Sequence, residues 1–128
     1  MDILSSRTLL RPGDFDRTLA FYRDGLGLAT AREFGEGAHR GVVFFAGGGL
    51  LEVVGTGTPG DRTGIALWLQ VRSLDETVAE LASRGVALTR APLLEPWGLV
   101  EAWIDDPDGV RIHLVEVPDD HPLRRDPR

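Results

Sequence analysis

The sequence has no cysteine, no lysine and no asparagine, so all 14 of its basic side chains are arginines. The lack of cysteine excludes disulfides, thiolate nucleophiles and cysteine-ligated metal centres. The lack of lysine excludes Schiff-base catalysis and the phosphate-binding lysine of a P-loop. Any chemistry must therefore come from histidine, carboxylates, arginine or aromatic rings.

Positive charge and long apolar runs are also scarce. The 14 arginines face 20 acidic residues, for a formal net charge of -6, and a nucleic-acid partner is disfavoured because it needs a positive protein face. No apolar run reaches about 18 residues and no signal-like leader is present, so we expect no membrane span and predict a cytoplasmic protein. The 128 residues, 42% of them hydrophobic, suit one globular domain.

Residues 3 to 116 are predicted to form the same order of strands and helix twice. The prediction rests on alternating apolar residues, helix-capping residues and glycines. Apolar alternation predicts the strands, while Asp14 and a capping box from Ser73 to Glu76 predict the starts of two helices. Gly25 and Gly85 predict where these helices end. The predicted strands span residues 3–11, 28–34, 41–46, 50–54, 65–71, 86–89, 99–104 and 110–116, and the predicted helices span 15–23 and 74–84.

The two halves of the chain also align with each other. A shift of 59 residues places the helix that begins at Phe15 over the one that begins at Leu74, and a shift of 61 places Glu52 over His113. An internal repeat of this kind predicts an α+β fold of two tandem βαβββ modules with mixed sheets. We expect a single domain over residues 1–117, with modules at 1–57 and 63–117, followed by a mobile charged tail at 118–128.

Two segments carry a family resemblance: GDFDRTLAFYRDGLGL at residues 13–28 and PWGLVEAWIDDPDGVRIHLVE at residues 96–116. They resemble the vicinal oxygen chelate superfamily, which groups glyoxalase, bleomycin resistance protein and extradiol dioxygenase. The resemblance implies that the paired modules form a curved, cup-shaped mixed sheet around a small-molecule site, with the helices outside and a homodimer completing the cup. Because functions vary within one fold, the resemblance does not assign the activity.

The resemblance also implies where a metal would bind, because metal-dependent members carry one ligand on the first and last strand of each module. The repeat places Arg7, Glu52, Ala66 and His113 at these positions. Only Glu52 and His113 have a lone pair to donate, whereas catalytic metal sites normally keep three protein ligands. We therefore expect no catalytic metal, as in the bleomycin-resistance branch. The alternative is a divalent ion (Fe, Mn, Ni or Zn) held by Glu52, His113 and Glu101.

Strand parity sorts the other side chains between the two faces of each sheet. Uniformly apolar positions, such as Leu51 and Ile112, are expected to face the helices, so the residues between them face the opposite side. That side carries two tryptophans and several polar groups, which is typical of a pocket for a flat, partly apolar molecule. The predicted ligand-binding residues are Arg7, Glu52, Trp68, Gln70, Trp97, Glu101, Trp103, Arg111 and His113.

Two roles stay open for the charged members of this set. Arg7 is either an anion clamp or the partner of Glu52 in an internal ion pair. Glu52 and His113 are the candidate catalytic residues, because a carboxylate beside an imidazole supports acid–base chemistry.

Two functions from different classes therefore fit the sequence. In the first, a homodimeric binding protein holds an aromatic or amphipathic compound, such as an antibiotic or natural product, without a metal and without converting it. Its acidic surface would attract a cationic compound. In the second, the chain is a lyase, isomerase or dioxygenase-type enzyme that uses Glu52 and His113 as metal ligands or as an acid–base pair.

Overall fold

The structure, a computed structural model, describes residues 1–55, 57, 58, 60, 62 and 64–122. The chain divides into two compact units, Met1–Asp61 and Arg62–Arg128. Three residues near the boundary (56, 59 and 61) and residue 63 lie outside the described part, as do the last six residues of the predicted mobile tail.

The first unit has one four-stranded sheet and one α-helix. Asp14 caps α1 (Phe15–Ala20), since its side chain accepts a hydrogen bond from the Arg17 backbone N–H at 3.1 Å, and α1 runs on into a π-helical turn, Phe21–Gly25. The strands are β1 (Thr8–Leu10), β2 (Thr30–Phe34), β3 (Gly41–Ala46) and β4 (Gly49–Val54). They lie in the order β1-β4-β3-β2, with β1 parallel to β4 and the other neighbours antiparallel.

The second unit repeats this plan. Ser73 caps α2 (Leu74–Ser83) by accepting from the Glu76 backbone N–H at 3.2 Å. The strands are β5 (Ala66–Gln70), β6 (Arg90–Leu94), β7 (Val100–Asp105) and β8 (Arg111–Glu116). Their order is β5-β8-β7-β6, and β5 is parallel to β8, as β1 is to β4 in the first unit. The predicted α+β fold of two βαβββ modules is confirmed, and neither sheet closes on itself.

The apolar positions that strand parity assigned to the core are buried at the centre of both sheets, although Val43, Glu52 and Glu101 on the opposite face are buried too. The alternating apolar positions of β4 and β8 are buried, and so are their cross-strand neighbours on β3 and β7. These buried residues are Leu51, Val53, Val42, Phe44, Ile112, Leu114, Ala102 and Ile104. Val115 lies on the opposite face of β8 and is buried as well, in a cluster with Leu99 and Val117.

Two predicted strands are wrong in their bounds. Residues 86–89 are not a strand, because the Val86 N–H bonds to the Leu81 carbonyl and closes the end of α2 at 2.9 Å; the strand is Arg90–Leu94 instead. Pro92 lies within this strand, which accommodates it because β6 is an edge strand whose register shifts between Arg90 and Leu93. In the first sheet, the edge strand β1 covers only residues 8–10 instead of 3–11, because its pairing with β4 begins at Thr8.

Within the described residues, none of the helices is both long enough and apolar enough to cross a membrane.

Candidate functional site

The candidate site is built on one face of the second sheet. Four residues lie side by side across its strands, in the order Trp68, His113, Trp103 and Arg90. Directly opposed residues point to the same face of a sheet, so their side chains form one continuous row. Gln70 and Glu101 lie on the same face, since both are in register with Val115.

A buried carboxylate, Glu101, organises the centre of this face. Only 3% of Glu101 is exposed, and each of its oxygens has a partner. Oε1 lies 3.1 Å from His113 Nδ1, and Oε2 accepts from the Trp97 indole N–H at 2.8 Å. An ionised carboxylate only accepts, so His113 donates to it from Nδ1, and in the neutral ring the lone pair is on Nε2.

These contacts also determine how Glu101 titrates. Burial by itself would raise the pKa of Glu101, but the hydrogen bonds to His113 and Trp97 outweigh it and hold the pKa below its usual value. The Trp103 indole adds a smaller electrostatic contribution, although its Nε1 makes no hydrogen bond of good geometry within the described residues. Glu101 is therefore an anion at neutral pH.

The indole ring of Trp103 is in contact with two arginine side chains of the protein. Arginines from the two flanking strands cover its ring, with the Arg90 Cζ 3.9 Å and the Arg111 Cζ 4.8 Å from the ring centroid. Arg90 pairs with buried Glu95, and Arg111 pairs with Asp105, which raises the pKa of Arg111 above its already high usual value. Trp103, one of the predicted ligand-binding residues, thus has both guanidinium groups against its ring.

Two other tryptophans offer open aromatic surface. Trp68 is 49% exposed beside His113, and Trp97 is 58% exposed on the turn that joins β6 to β7. The turn is held by Gly98, whose φ is 90°, and by His121, whose Nε2 lies 3.2 Å from the Trp97 carbonyl oxygen. The first residues of the predicted mobile tail therefore contact the turn that carries Trp97.

In the first unit, the predicted residues Arg7 and Glu52 form an ion pair. Arg7 NH1 lies 2.7 Å from Glu52 Oε1, and the Glu52 side chain is largely buried. The contact between Arg7 and Glu52 is the internal ion pair that was one of the two roles considered for Arg7. Glu52 belongs to the first unit, and the carboxylate hydrogen-bonded to His113 is Glu101 of the second.

The donor set fits a catalytic metal poorly. Among the described residues, no group of three or more His, Asp or Glu side chains is placed to hold an ion. An oxygen of Glu52 is taken by Arg7, and both oxygens of Glu101 are taken by His113 and Trp97.

Arg90 and Glu95 are site residues that the sequence analysis missed. Arg90 contacts the Trp103 ring, donates to the Glu101 backbone carbonyl at 3.2 Å and pairs with Glu95. The sequence did not reveal the position of Arg90 opposite Trp103 because the second strand of this module was predicted at residues 86–89. A strand placed at Arg90 would have put its guanidinium directly opposite Trp103.

Comparison with known proteins adds a family to this geometry. A family model described as Glyoxalase/Bleomycin resistance protein/Dioxygenase superfamily matches residues 5–114. No curated protein matches the chain in sequence.

Solved structures similar to this chain cover most of its length. One is a glyoxalase/bleomycin resistance protein from Catenulispora acidiphila, with 28% identity, a TM-score of 0.69 and coverage of 91% of this chain and 100% of that one. A superfamily member from Sphaerobacter thermophilus has 30% identity, a TM-score of 0.69 and coverage of 90% and 98%. TioX from Micromonospora sp. ML1 has 20% identity, a TM-score of 0.74 and coverage of 89% and 98%, a likeness of fold alone.

Proposed function

Since the chain belongs to the Glyoxalase/Bleomycin resistance protein/Dioxygenase superfamily, we propose that it binds a small aromatic or amphipathic molecule without converting it and without a catalytic metal. The ligand lies on the sheet face of the second unit, against Trp68 and Trp97. The observation that carries the proposal is the pair of exposed indole rings beside the buried Glu101, whose two oxygens are hydrogen-bonded to His113 and to Trp97. Aromatic walls with a few fixed polar groups are what a small-molecule site requires.

The charges of this face favour a positively charged ligand. Arginines neutralise Glu95 and Asp105, whereas the partners of Glu101 are an imidazole and an indole. Within the described residues, the Glu101 side chain therefore has no arginine as an ion-pair partner, and it lies on the same sheet face as Trp68 and bonds to the Trp97 indole. A cation is attracted by the carboxylate and by the indoles, through Coulomb attraction and through the electron-rich faces of the rings. A cationic antibiotic or other natural product is a member of this class.

Tryptophan emission tests the proposal directly, because all three tryptophans belong to the second unit. We would titrate the protein with planar cations such as proflavine, with neutral aromatic compounds of similar size, and with bleomycin. We expect saturable quenching by the cations and recovery of the compound unchanged by mass spectrometry. Replacing Trp68 or Trp97 with leucine should weaken binding by roughly threefold to thirtyfold, the range of an aromatic–cation contact. Arg84→Gln on α2 is the control and should leave the affinity unchanged.

The same titration can contradict the proposal. Equal affinity for neutral and cationic compounds would contradict the proposed attraction of a cation by Glu101. Quenching that survives the loss of both exposed tryptophans would place the ligand elsewhere. Retention of about one metal ion per chain after desalting, lost in Glu52→Ala or His113→Ala, would contradict the metal-free site.

A second function, acid–base catalysis, is favoured by one observation. The contact between Glu101 Oε1 and His113 Nδ1 leaves the Nε2 lone pair to take a proton from a bound molecule. An enzyme would lose product formation in both Glu101→Gln and His113→Gln while binding its ligand normally. Loss of binding alone in these variants would leave the binding function as the only one.

Homodimerisation and a cytoplasmic location belong to the same proposal. Each sheet ends in edge strands, β1 and β2 in one and β5 and β6 in the other, and such edges are commonly paired or covered. Light scattering at micromolar concentration should give twice the chain mass, and a monomer mass would contradict the dimer. Cell fractionation tests the location.

A further inference from the structure

A cavity of about 330 Å³ lies in the first unit, between α1 and the hairpin formed by β2 and β3. Its apolar walls are Phe15, Leu19, Phe34 and Val42, and its charged residues are Arg40 and Glu33. The volume lies within the range of small-molecule sites, about 300–1,000 Å³. None of these residues belongs to the ligand face proposed above, so the cavity is a separate site.

Glycines shape the hairpin side of this cavity. A Cβ on Gly41 would lie 2.4 Å from Cζ of Phe34, so the ring rests directly on the backbone of β3 and depends on that glycine. A Cβ on Gly35 would lie 2.1 Å from the His39 carbonyl oxygen, and the φ of Gly35 is 73°. The turn therefore tolerates only glycine at this position, and it holds the Phe34 wall in place.

Arg40 is a fixed cation at the cavity. Its Cζ lies 4.3 Å from the Phe15 ring centroid, and its NH2 forms an ion pair with Asp16 Oδ1 at 3.1 Å. The backbone is held as well, because the Arg40 carbonyl accepts from the Gly55 N–H at 2.9 Å. A guanidinium has five N–H donors, and within the described residues the Asp16 pair involves only one of its nitrogens.

We propose that this cavity binds a small carboxylate that carries an apolar tail. The carboxylate pairs with the guanidinium of Arg40, whose planar fork matches its geometry. The tail lies against the four apolar walls. Asp16 competes for Arg40 from an exposed position, so a ligand carboxylate has to displace only a solvent-screened partner.

The test uses the whole chain and a defined probe, 3-phenylpropionate, followed by amide NMR. Its amide and its amine, 3-phenylpropanamide and 3-phenylpropylamine, keep the tail and change only the charged group. We expect saturable shifts at Phe15, Leu19 and Val42, with the carboxylate binding at least about tenfold more tightly than the amide. Equal affinities, tighter binding of the amine at Glu33, or shifts confined to the second unit would overturn the proposal.

Two substitutions separate recognition from stability. Arg40→Gln should weaken binding of 3-phenylpropionate by about tenfold. Arg40→Lys keeps the charge but not the planar guanidinium, so its affinity should lie between those of the wild type and Arg40→Gln. Asp16→Asn should tighten binding by about twofold to fivefold, because it removes the competing carboxylate. A merely structural role for Arg40 predicts no such gain.

The repeat supplies the matched control. Asp75 occupies in the first turn of α2 the place that Asp16 has in α1, so Asp75→Asn makes the same change of charge away from the cavity and should leave the affinity unchanged. If Arg40→Gln lowers the melting temperature too far for titration, the affinity of Asp16→Asn for 3-phenylpropionate provides the test instead. An affinity that is unchanged or weaker in Asp16→Asn would overturn the proposal.

Discussion

The two units place different chemistry on the same backbone. On the sheet face opposite Leu51 and Ile112, the residues that lie side by side across the strands are Leu9, Glu52, Val43 and Arg32 in the first unit, and Trp68, His113, Trp103 and Arg90 in the second. Both rows end in an arginine on the edge strand. In the first, aliphatic side chains flank a carboxylate neutralised by Arg7; in the second, indole rings flank an imidazole held by Glu101. The fold sets the positions, and the side chains at those positions make one face a candidate binding site.

The units differ in regularity as well as in chemistry. β1 pairs with β4 over three residues, whereas β5 pairs with β8 over five. α1 has 6 residues before it widens into a π-helical turn, whereas α2 has 10. The cavity with Arg40 lies on the helix side of the less regular unit, and the tryptophan face belongs to the more regular one.

Core truncation at equivalent positions should have the largest effect. Leu51 and Ile112 match under the repeat, and both are buried. Each alanine substitution should lower the free energy of unfolding by about 2–5 kcal/mol, because it removes transfer energy and leaves a cavity. Urea unfolding followed by circular dichroism measures both, and tryptophan emission follows the second unit. A cost below about 1 kcal/mol at one position would show that its core relaxes around the loss.

Glu101→Gln should show the next largest effect, and it depends on pH. The pKa of Glu101 is lowered in the folded chain, so its stabilising contribution is fully present above its ordinary pKa of 4.5 and is lost as the pH falls through the folded value. At neutral pH the variant should be less stable by about 1–3 kcal/mol, the cost of disturbing a buried charged hydrogen-bond pair. The gap to the wild type should close below pH 4.5.

Urea unfolding at several pH values measures that gap. Glu80→Gln on the exposed surface of α2 is the control and should show little change with pH. A difference between wild type and Glu101→Gln that is constant from pH 7 down to acid would contradict the lowered pKa.

Glycine substitutions compare the turns that join the second and third strands of each module. Gly98→Ala meets only the ring of His121, at 3.2 Å, and should cost about 1–2 kcal/mol for the left-handed backbone. Gly35→Ala meets a backbone carbonyl oxygen and should cost more, because a backbone atom cannot rotate away. Thermal unfolding ranks the two variants. Equal costs would mean that strain in φ alone decides both turns.

The helix caps should show the smallest effect. Asp14→Ala and Ser73→Ala each remove one hydrogen bond to a first-turn backbone N–H, which is worth about 1 kcal/mol. Equal losses in urea unfolding would show that the caps are equivalent despite the shorter α1. A loss near zero at Asp14 would show that α1 is held by packing of Phe15 and its neighbours rather than by its cap.

The fold was more predictable than the site. The helix starts at Asp14 and Ser73 and the burial of alternate apolar residues in β4 and β8 were predicted correctly because each depends on residues close in sequence. The repeat was found because the two halves of the chain carry the same order of such local signals. The predicted position of β6 at residues 86–89 was wrong because the chain after Gly85 first closes the end of α2 through the Val86 N–H, and the strand begins only at Arg90. The pairing of Arg90 with Trp103 was lost with it.

The sequence by itself therefore determined the two βαβββ modules, the buried stripes and the set of chemically capable side chains. Local periodicity and capping are enough for that. Only the tertiary structure decided that Glu101 holds His113 and Trp97, that arginines cover Trp103, and that Trp68 and Trp97 stay open. Those contacts depend on which residues face each other across neighbouring strands and turns, and this is set by register and burial rather than by spacing along the chain.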